Sequence, residues 1–547
     1  MYKASSPLSA FLHWEKTAPN RIFLKQPKNG KVVTYTFKQA GEEARKIANE
    51  IQSYGLPSRS HIAILSKNCA HWIMADLAIM MADCVSIPIY PTLTQTSIRH
   101  VLSHSESKAI IIGKLDDYRS QAEGVTDMHK IFVGTYDTYH GRLWEDIVID
   151  TKPLKNVYIP KPEDLHTIIY TSGTTGLPKG VMHAVSSFNE CFQIFNEMMK
   201  LENHRRLFSY LPLGHIAERL AVENCGLYLG AEISFAESLE TFASDLEACQ
   251  PHLFLAVPRI WTKFQDKILE KLPQKKLNYL LNMPIINGII KSKLKKKLGL
   301  KHAEVIFSGA APLSPSLMRW YKKIDIEILQ AYGMTEDCVV SHFNTKGFNK
   351  IGTVGRTVPT AKTKFSEDGE LLIKNNCLMK GYFKAPEKTT EVFTDDGYLR
   401  TGDKAEYDHE GYLTITGRAK DEFKTDKGKY VAPSPIELLL SANTDIEQIC
   451  LVGTGIPQPI ALITLSELGK GKTKEVLSLS LIESISKLNP SLEKHEKIEK
   501  IVIMKEDWTV DNGLTTPTLK VKRNAIERIH QPLYSKWFAM ENKVIFE

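Results

Sequence analysis

Ten residues from Thr171 to Gly180, TSGTTGLPKG, combine the side-chain types that hold phosphate. Gly173, Gly176 and Gly180 open backbone angles closed to other residues, so amide N–H groups can converge on an anion. Thr171, Ser172, Thr174 and Thr175 add hydroxyl donors, and Lys179 adds charge. The apolar run Leu165, Ile168, Ile169, Tyr170 just before it predicts a strand that delivers this loop. The commonest phosphate loop has a different spacing, GxxxxGK followed by Ser or Thr, which the chain lacks. Gly471, Lys472 and Thr473 imitate its end, but Ser466 stands where its first glycine belongs.

Several elements must surround such a loop. A short strand pair at 21–24 and 32–37 precedes an amphipathic helix carrying Ala44, Ile47, Ala48 and Ile51. Strand and helix then alternate: strands at 61–65, 84–89, 109–112, 207–210, 232–235, 253–257 and 304–307, and helices at 71–82, 97–103, 188–199, 216–228 and 239–249. Repeated βα units predict an α/β class of doubly wound parallel sheets covered by helices, with two sheets rather than one. Ligands in such folds sit at the carboxyl ends of strands, where the opening loop falls. From 351 to 418 short strands with Gly, Asp and Pro turns predict a small β-rich subdomain. The charged, Gly- and Pro-broken stretch AKDEFKTDKGKYVAPSPIE then leads to a last α+β unit. The expected division is 1–350 as an N-terminal α/β core, 351–418 as its β-rich subdomain and 419–547 as a mobile C-terminal lid.

Composition narrows the class. With 43% hydrophobic and 24% charged residues, the chain is neither disordered nor fibrous. The eight cysteines form no CxxC pair, so neither a zinc site nor a disulfide framework is indicated, and a reducing, cytoplasmic setting is expected. The first sixteen residues lack a long apolar run and carry Glu15, which argues against a secretory signal. The longest apolar stretch, 72–90, contains Asp76 and Asp83. At about 3 kcal/mol per central carboxylate it is a poor membrane span and reads as a buried helix followed by a strand.

Further motifs accompany the loop: SGAAPL at 308–313, QAYGMTE at 330–336, YLRTGD at 398–403, GRAKD at 417–421 and PTLKVKR at 517–523. Together, in this order, they resemble the adenylate-forming (AMP-binding) superfamily over nearly the whole chain, and its long-chain fatty acyl-CoA synthetase members in particular. The resemblance implies that a carboxylate attacks the α-phosphate of ATP, with positive groups gathered where charge builds. It implies that the loop from Thr171 to Lys179 embraces the β- and γ-phosphates, and that Glu336 and Thr171 hold Mg²⁺, a hard cation that favours oxygen ligands. Gly309, Ala310 and Ala311, with Gln330, Ala331, Tyr332, Gly333, Met334 and Thr335, are expected around adenine and AMP, Thr335 also standing beside the reacting groups. Asp403 would accept from the ribose hydroxyls and Arg418 would support the ribose and phosphate side. Lys520 is expected to bridge carboxylate and α-phosphate, although Leu519 stands where the family's commonest pattern has glycine and Lys522 and Arg523 crowd the position. The family's second half-reaction, thioester formation with coenzyme A, implies a hinge at Lys420 and a coenzyme-side loop at Lys427, Gly428 and Lys429. Ser434 replaces a glutamate common in the linker, while Glu437 remains.

YPTLT at 90–94, LPLGHIAER at 211–219 and VPRIWTKF at 257–264 resemble the long-chain members, and His215 is a candidate gate of the acyl pocket or a satisfied polar group near a helix start. Between Lys267 and Lys301 ten lysines meet one acid, Glu270, so the total of +7 leaves −2 for the rest. With Leu277, Leu280, Leu281, Ile285, Ile286, Ile289 and Ile290 among those lysines, 268–301 is either an interfacial segment taking fatty acid from an anionic membrane or a helical excursion packed on the domain. No nucleic-acid motif accompanies it. The expected activity is ATP-dependent activation of a long-chain fatty acid and its transfer to coenzyme A. The alternatives are a ligase passing the acyl group to a carrier protein and a catalytically silent acyl- or nucleotide-binding relative.

Overall fold

In the computed structural model, residues 4–125, 127–136, 141–171, 178–516 and 520–547 are described. Two large sheets face each other. One has nine strands in the order Arg356–Thr357, His342–Phe343, Leu329–Tyr332, Val305–Ser308, Leu253–Ala256, Arg206–Ser209, Glu232–Phe235, Ile22–Lys28, Lys31–Thr36. The other has eight: Gly381–Tyr382, Lys179–Ala184, Leu165–Thr171, Val85–Ile89, His61–Leu65, Ala109–Ile112, His129–Phe132, Arg142–Leu143. Their centres are parallel, as βα alternation dictates, but the edges are not: the strand Leu165–Thr171 turns back antiparallel on Lys179–Ala184, and Leu329–Tyr332 pairs antiparallel with His342–Phe343. The all-parallel expectation is corrected there, because chain that returns through a loop too short for a crossover helix can only pair antiparallel.

The core between the sheets is built on the helix Ala70–Met81, every residue of which is buried. Ile64 and Ile169 from one sheet and Leu207 and Phe307 from the other join the same apolar cluster. Ala70–Met81 is the buried helix expected from the sequence, followed by the strand Val85–Ile89, and a helix buried on every face has no polar stripe. Among the described residues no helix is long and apolar enough to cross a membrane.

The stretch 351–418 supplies a four-stranded antiparallel sheet from Lys362–Phe365, Glu370–Lys374, Leu399–Tyr407 and Leu413–Arg418, but also lends one edge strand to each large sheet. Beyond it a hairpin, Phe423–Lys424 with Tyr430–Val431, precedes a second four-stranded sheet of Ile446–Val452, Ile460–Leu465, Lys500–Ile503 and Val544–Phe546 with its own apolar core. In that unit Lys472 pairs with Asp445 at 2.6 Å and Thr473 caps the helix Lys474–Leu488, so the imitation phosphate motif is spent on structure.

The lysine-rich excursion forms two helices, Gln274–Leu281 and Ile286–Lys297. Leu277 is buried, and Leu281, Ile290 and Leu294 pack against a satellite core, whereas Tyr279, Ile285 and Ile289 are 67%, 85% and 61% exposed. Ile285, at φ 68°, holds a left-handed conformation that a β-branched residue adopts only under constraint.

Candidate active site

Strand ends place the groups. Thr171 closes one central strand, Ser308 delivers Gly309 and Ala310, and Leu329–Tyr332 delivers Gly333 to Glu336. These ends converge on one side of the two sheets, as parallel strands require. Ser172, Gly173, Thr174, Thr175 and Gly176 lie outside the described residues; Lys179 follows them at the start of the returning strand, with its ammonium 4.7 Å from the Tyr382 ring centre.

Tyr332, Asp403 and Arg418 form a chain. The Tyr332 hydroxyl donates to Asp403 Oδ2 at 2.6 Å and Arg418 Nε donates to Oδ1 at 2.8 Å. Asp403 and Arg418 face each other across paired strands, which fixes this contact by register. The Asp403 carboxylate raises the Arg418 pKa, and burial followed by the same carboxylate raises that of Tyr332, so the hydroxyl stays a donor. A carboxylate offers about four acceptor positions, and two remain for a ribose diol. A Cβ on Gly309 would meet only the Ala331 carbonyl and Leu255, at 3.9 and 4.0 Å, so a flat base can approach this backbone.

The loop after Tyr332 is held tightly. Asp337 accepts from the Met334 N–H at 2.8 Å, and burial pushes its carboxyl up to about 7. A Cβ on Gly333 would lie 2.5 Å from Val339 Cα, so only glycine lets the loop fold beneath itself. Cys338 and Val339 both take positive φ, 55° and 57°, a strained pair directly after Glu336 and Asp337. Glu336 is 9% exposed and its Oε1 accepts from the Tyr382 hydroxyl at 2.8 Å. Among the described residues no group of three or more His, Cys, Asp or Glu is arranged to hold a metal ion. Tyr382 occupies one Glu336 oxygen and leaves the other, and a single carboxylate fits a magnesium ion, which keeps phosphate and water ligands, better than a cation needing an all-protein cage.

Lys520 reaches this group from the C-terminal unit. Burial and then the Arg418 charge lower its pKa, while Asp403 and Glu336 oppose them. The residue keeps accessible surface although protein surrounds it, which places its ammonium in an open cleft rather than on an outer face. Of its crowded neighbours, Arg523 is tied to Glu437 at 2.6 Å and to the Leu451 carbonyl, and Lys522 stands at the N-cap position of the helix Arg523–His530 without a side-chain capping bond. Glu437 also accepts from the Leu451 N–H at 2.6 Å, so the linker's retained glutamate anchors the Lys520 loop and Ser434 does not disturb it. Lys420 is exposed in the turn after Arg418, and Lys427, Gly428 and Lys429 sit exposed at the tip of the hairpin, Gly428 with φ 77°.

An apolar cavity with about 1170 Å³ of empty space, its open mouth included, begins at these residues. Gly309, Ala310 and Ala331 line it, so the nucleotide loop and the cavity share a wall. Phe192 and Phe195 from the helix Val185–Met199, then Leu220 and Ala221, and Val339 and Phe343 form most of the rest. His215 lines it too and satisfies itself by accepting from the Ala217 N–H at 3.2 Å; burial and then the Lys520 charge push its pKa down to about 3, so the ring is neutral.

Sequence reasoning missed what holds this wall. The predicted helix 216–228 is broken into Ile216–Glu218, a π-helical Arg219–Asn224 and Cys225–Leu229. Arg219, fully buried, pairs with Asp76 at 2.7 Å and Glu223 at 2.9 Å and donates to Thr167 at 2.7 Å. Two charges inside the apolar stretches around 76 and 219 were the available signal, since buried ions are paired.

A model of the AMP-binding enzyme family matches residues 11–383, and one of the AMP-binding enzyme C-terminal domain matches 421–538. The chain is 29% identical to mouse (Mus musculus) long-chain-fatty-acid–CoA ligase 5, over 91% of this chain and 83% of that one. It is 28% identical to long-chain-fatty-acid–CoA ligase FadD15 of Mycobacterium bovis, over 94% and 93%. Among solved structures, the adenylation domain of a carboxylate reductase from Mycobacterium chelonae superposes with a TM-score of 0.82 at 19% identity, covering 98% of this chain and 91% of that one. The anthranilate CoA ligase AuaEII in complex with anthranoyl-AMP gives 0.80 at 19%, covering 98% and 99%.

Proposed function

Starting from the fact that this chain belongs to the AMP-binding enzyme family, we propose that it joins a long-chain fatty acid to coenzyme A through an acyl-adenylate. The observation that carries the substrate is the apolar cavity sharing a wall with the loop at Gly309 and Ala310, and the names of the relatives, long-chain-fatty-acid–CoA ligases, agree with it.

In the first half-reaction a fatty carboxylate oxygen attacks the α-phosphorus of ATP, and the bond to the bridging oxygen of pyrophosphate breaks. Lys520 supplies the charge that holds the two anions together, Asp403 orients the ribose, and Arg418 adds charge on the same side. Glu336 and Thr171 would hold Mg²⁺ with the nucleotide phosphates, and the ion would neutralise charge on the departing pyrophosphate. The acyl tail fills the cavity beside His215, whose neutral ring adds no competing charge. In the second half-reaction the C-terminal unit turns about Lys420, bringing the hairpin tip at Lys427–Lys429 toward the site; the coenzyme sulfur attacks the acyl carbon and AMP leaves.

The exposed Tyr279, Ile285 and Ile289, set among lysines, form the surface by which the enzyme meets an anionic membrane and receives its substrate. Vesicles rich in anionic lipid should sediment the protein, and Ile285→Ser with Ile289→Ser should release it; sedimentation unchanged by both substitutions contradicts the assignment. Pyrophosphate release measured across fatty acids from short to long, with and without coenzyme A, tests the whole proposal. Release should need a long chain and thioester should form with coenzyme A. An adenylate that accumulates regardless of coenzyme A would instead favour a carrier protein as acceptor, and no release with any fatty acid would leave a silent binder.

A further inference from the structure

A second cavity, of about 440 Å³ with its open mouth included, is lined by His100, His104, Lys179, Tyr382, Phe383 and Lys388 among others. Among the described residues, four nitrogen-bearing side chains line it and no carboxylate does. The nearby carboxylate of Glu106 is engaged by Lys384 at 2.8 Å. His104 Nδ1 meets the Tyr170 hydroxyl at 2.8 Å and its ring stacks on His100 with centres 5.6 Å apart. His100 Nε2 is buried with no hydrogen-bond partner, a deficit that a bound acceptor would remove.

Lys179 joins this cavity to the catalytic cleft. Its ammonium sits over the Tyr382 ring, and the Tyr382 hydroxyl donates to Glu336, so cavity and metal-side carboxylate are one residue apart. Gly180 permits the arrangement, because a Cβ there would press on Ile168 at 2.7 Å and on Tyr170 and Phe383 at 3.2 and 3.4 Å.

We infer that this cavity binds inorganic pyrophosphate on its way out, Lys179 passing the dianionic end of the leaving group to His100 and Lys388. The inference rests on the nucleotide reading of the loop and adds a site next to it. It gives a role to the exposed Lys388 and to the unpartnered Nε2 of His100, both of which line this cavity.

Calorimetry on the full chain tests it. With the nucleotide site filled by α,β-methylene-ATP, which cannot be cleaved at the α-phosphorus, one equivalent of pyrophosphate should bind. Lys388→Gln should weaken that binding at least fivefold and His100→Gln with Lys388→Gln further, with the analogue's own affinity unchanged within twofold. No pyrophosphate binding to the loaded wild-type protein, or equal binding in the variants, overturns the inference; so does orthophosphate binding as tightly as pyrophosphate, which would mark a general phosphate site. If the analogue itself fails to bind, the nucleotide reading falls, and titration of pyrophosphate alone into wild type and Lys388→Gln still decides the cavity.

Discussion

Asp403 is shared between two partners with different jobs. Tyr332 fixes one oxygen and Arg418 the other, so the carboxylate is already oriented for the ribose it is proposed to bind. A hydrogen bond to a charged acceptor contributes about 1.5–3 kcal/mol, and Tyr332→Phe should therefore raise the ATP KM about tenfold while leaving the fatty acid KM unchanged. Lys520 carries a pH signature. Its lowered pKa means that it loses its proton on the alkaline side sooner than an ordinary lysine does. Adenylation should therefore decline as pH rises toward the lysine range, whereas thioester formation from supplied acyl-adenylate, which does not use Lys520, should lack that decline. The polar participants were readable because their motifs are short and local. The cavity was not, since Phe192, Leu220, Val339 and Phe343 converge from separate elements and look like any core residues.

At the scale of elements, the π-helical Arg219–Asn224 is the wall of the cavity and the buried ion cluster is its anchor. Burial alone would raise the Asp76 pKa, but the Arg219 guanidinium, His166 and the Ser86 hydroxyl together outweigh it and hold the carboxyl below its ordinary value. Burial and then the Asp76 charge push the Glu223 pKa up although Arg219 opposes them, so Arg219 answers mainly to Asp76. Asp76→Asn strands a buried cation and should cost about 3–5 kcal/mol in denaturant unfolding, whereas Glu223→Gln should cost about 1 kcal/mol. The Asp76 contribution is present above the ordinary aspartate pKa and should be lost only as pH falls through its lowered folded value. Helical periodicity across 216–228 predicted one regular helix. Periodicity registers which residues are apolar, and the extra residue of a π turn depends on Asp76, far away in sequence. Similarly the lysine-rich segment divides into a packed face and an exposed one, a distinction that depends on which leucines find the satellite core.

Across the whole molecule, the arrangement with Lys520 in the cleft is held by contacts between units. Arg259, on the helix that continues the cavity strand, pairs with Glu447 of the C-terminal sheet. Asp266 on the same helix faces Glu447 and Asp445, and burial followed by these two charges raises its carboxyl to about 6. Ionised Asp266 repels the lid, so the closed arrangement gains as pH falls through about 6 and weakens above it. Arg259 is 41% exposed, and a screened pair of this kind contributes about 0.2–1 kcal/mol. Arg259→Ala should therefore slow single-turnover adenylation by about twofold to fivefold and leave thioester formation unaffected. Lys420→Pro stiffens the turn between the units and should do the opposite, sparing adenylation and blocking transfer. The central claim is that one chain runs two reactions with Lys520 serving only the first. Lys520→Ala should cut pyrophosphate release from ATP and a long-chain fatty acid about a hundredfold or more, while thioester formation from supplied acyl-adenylate and coenzyme A stays near the wild-type rate. Equal loss of both half-reactions would contradict the account.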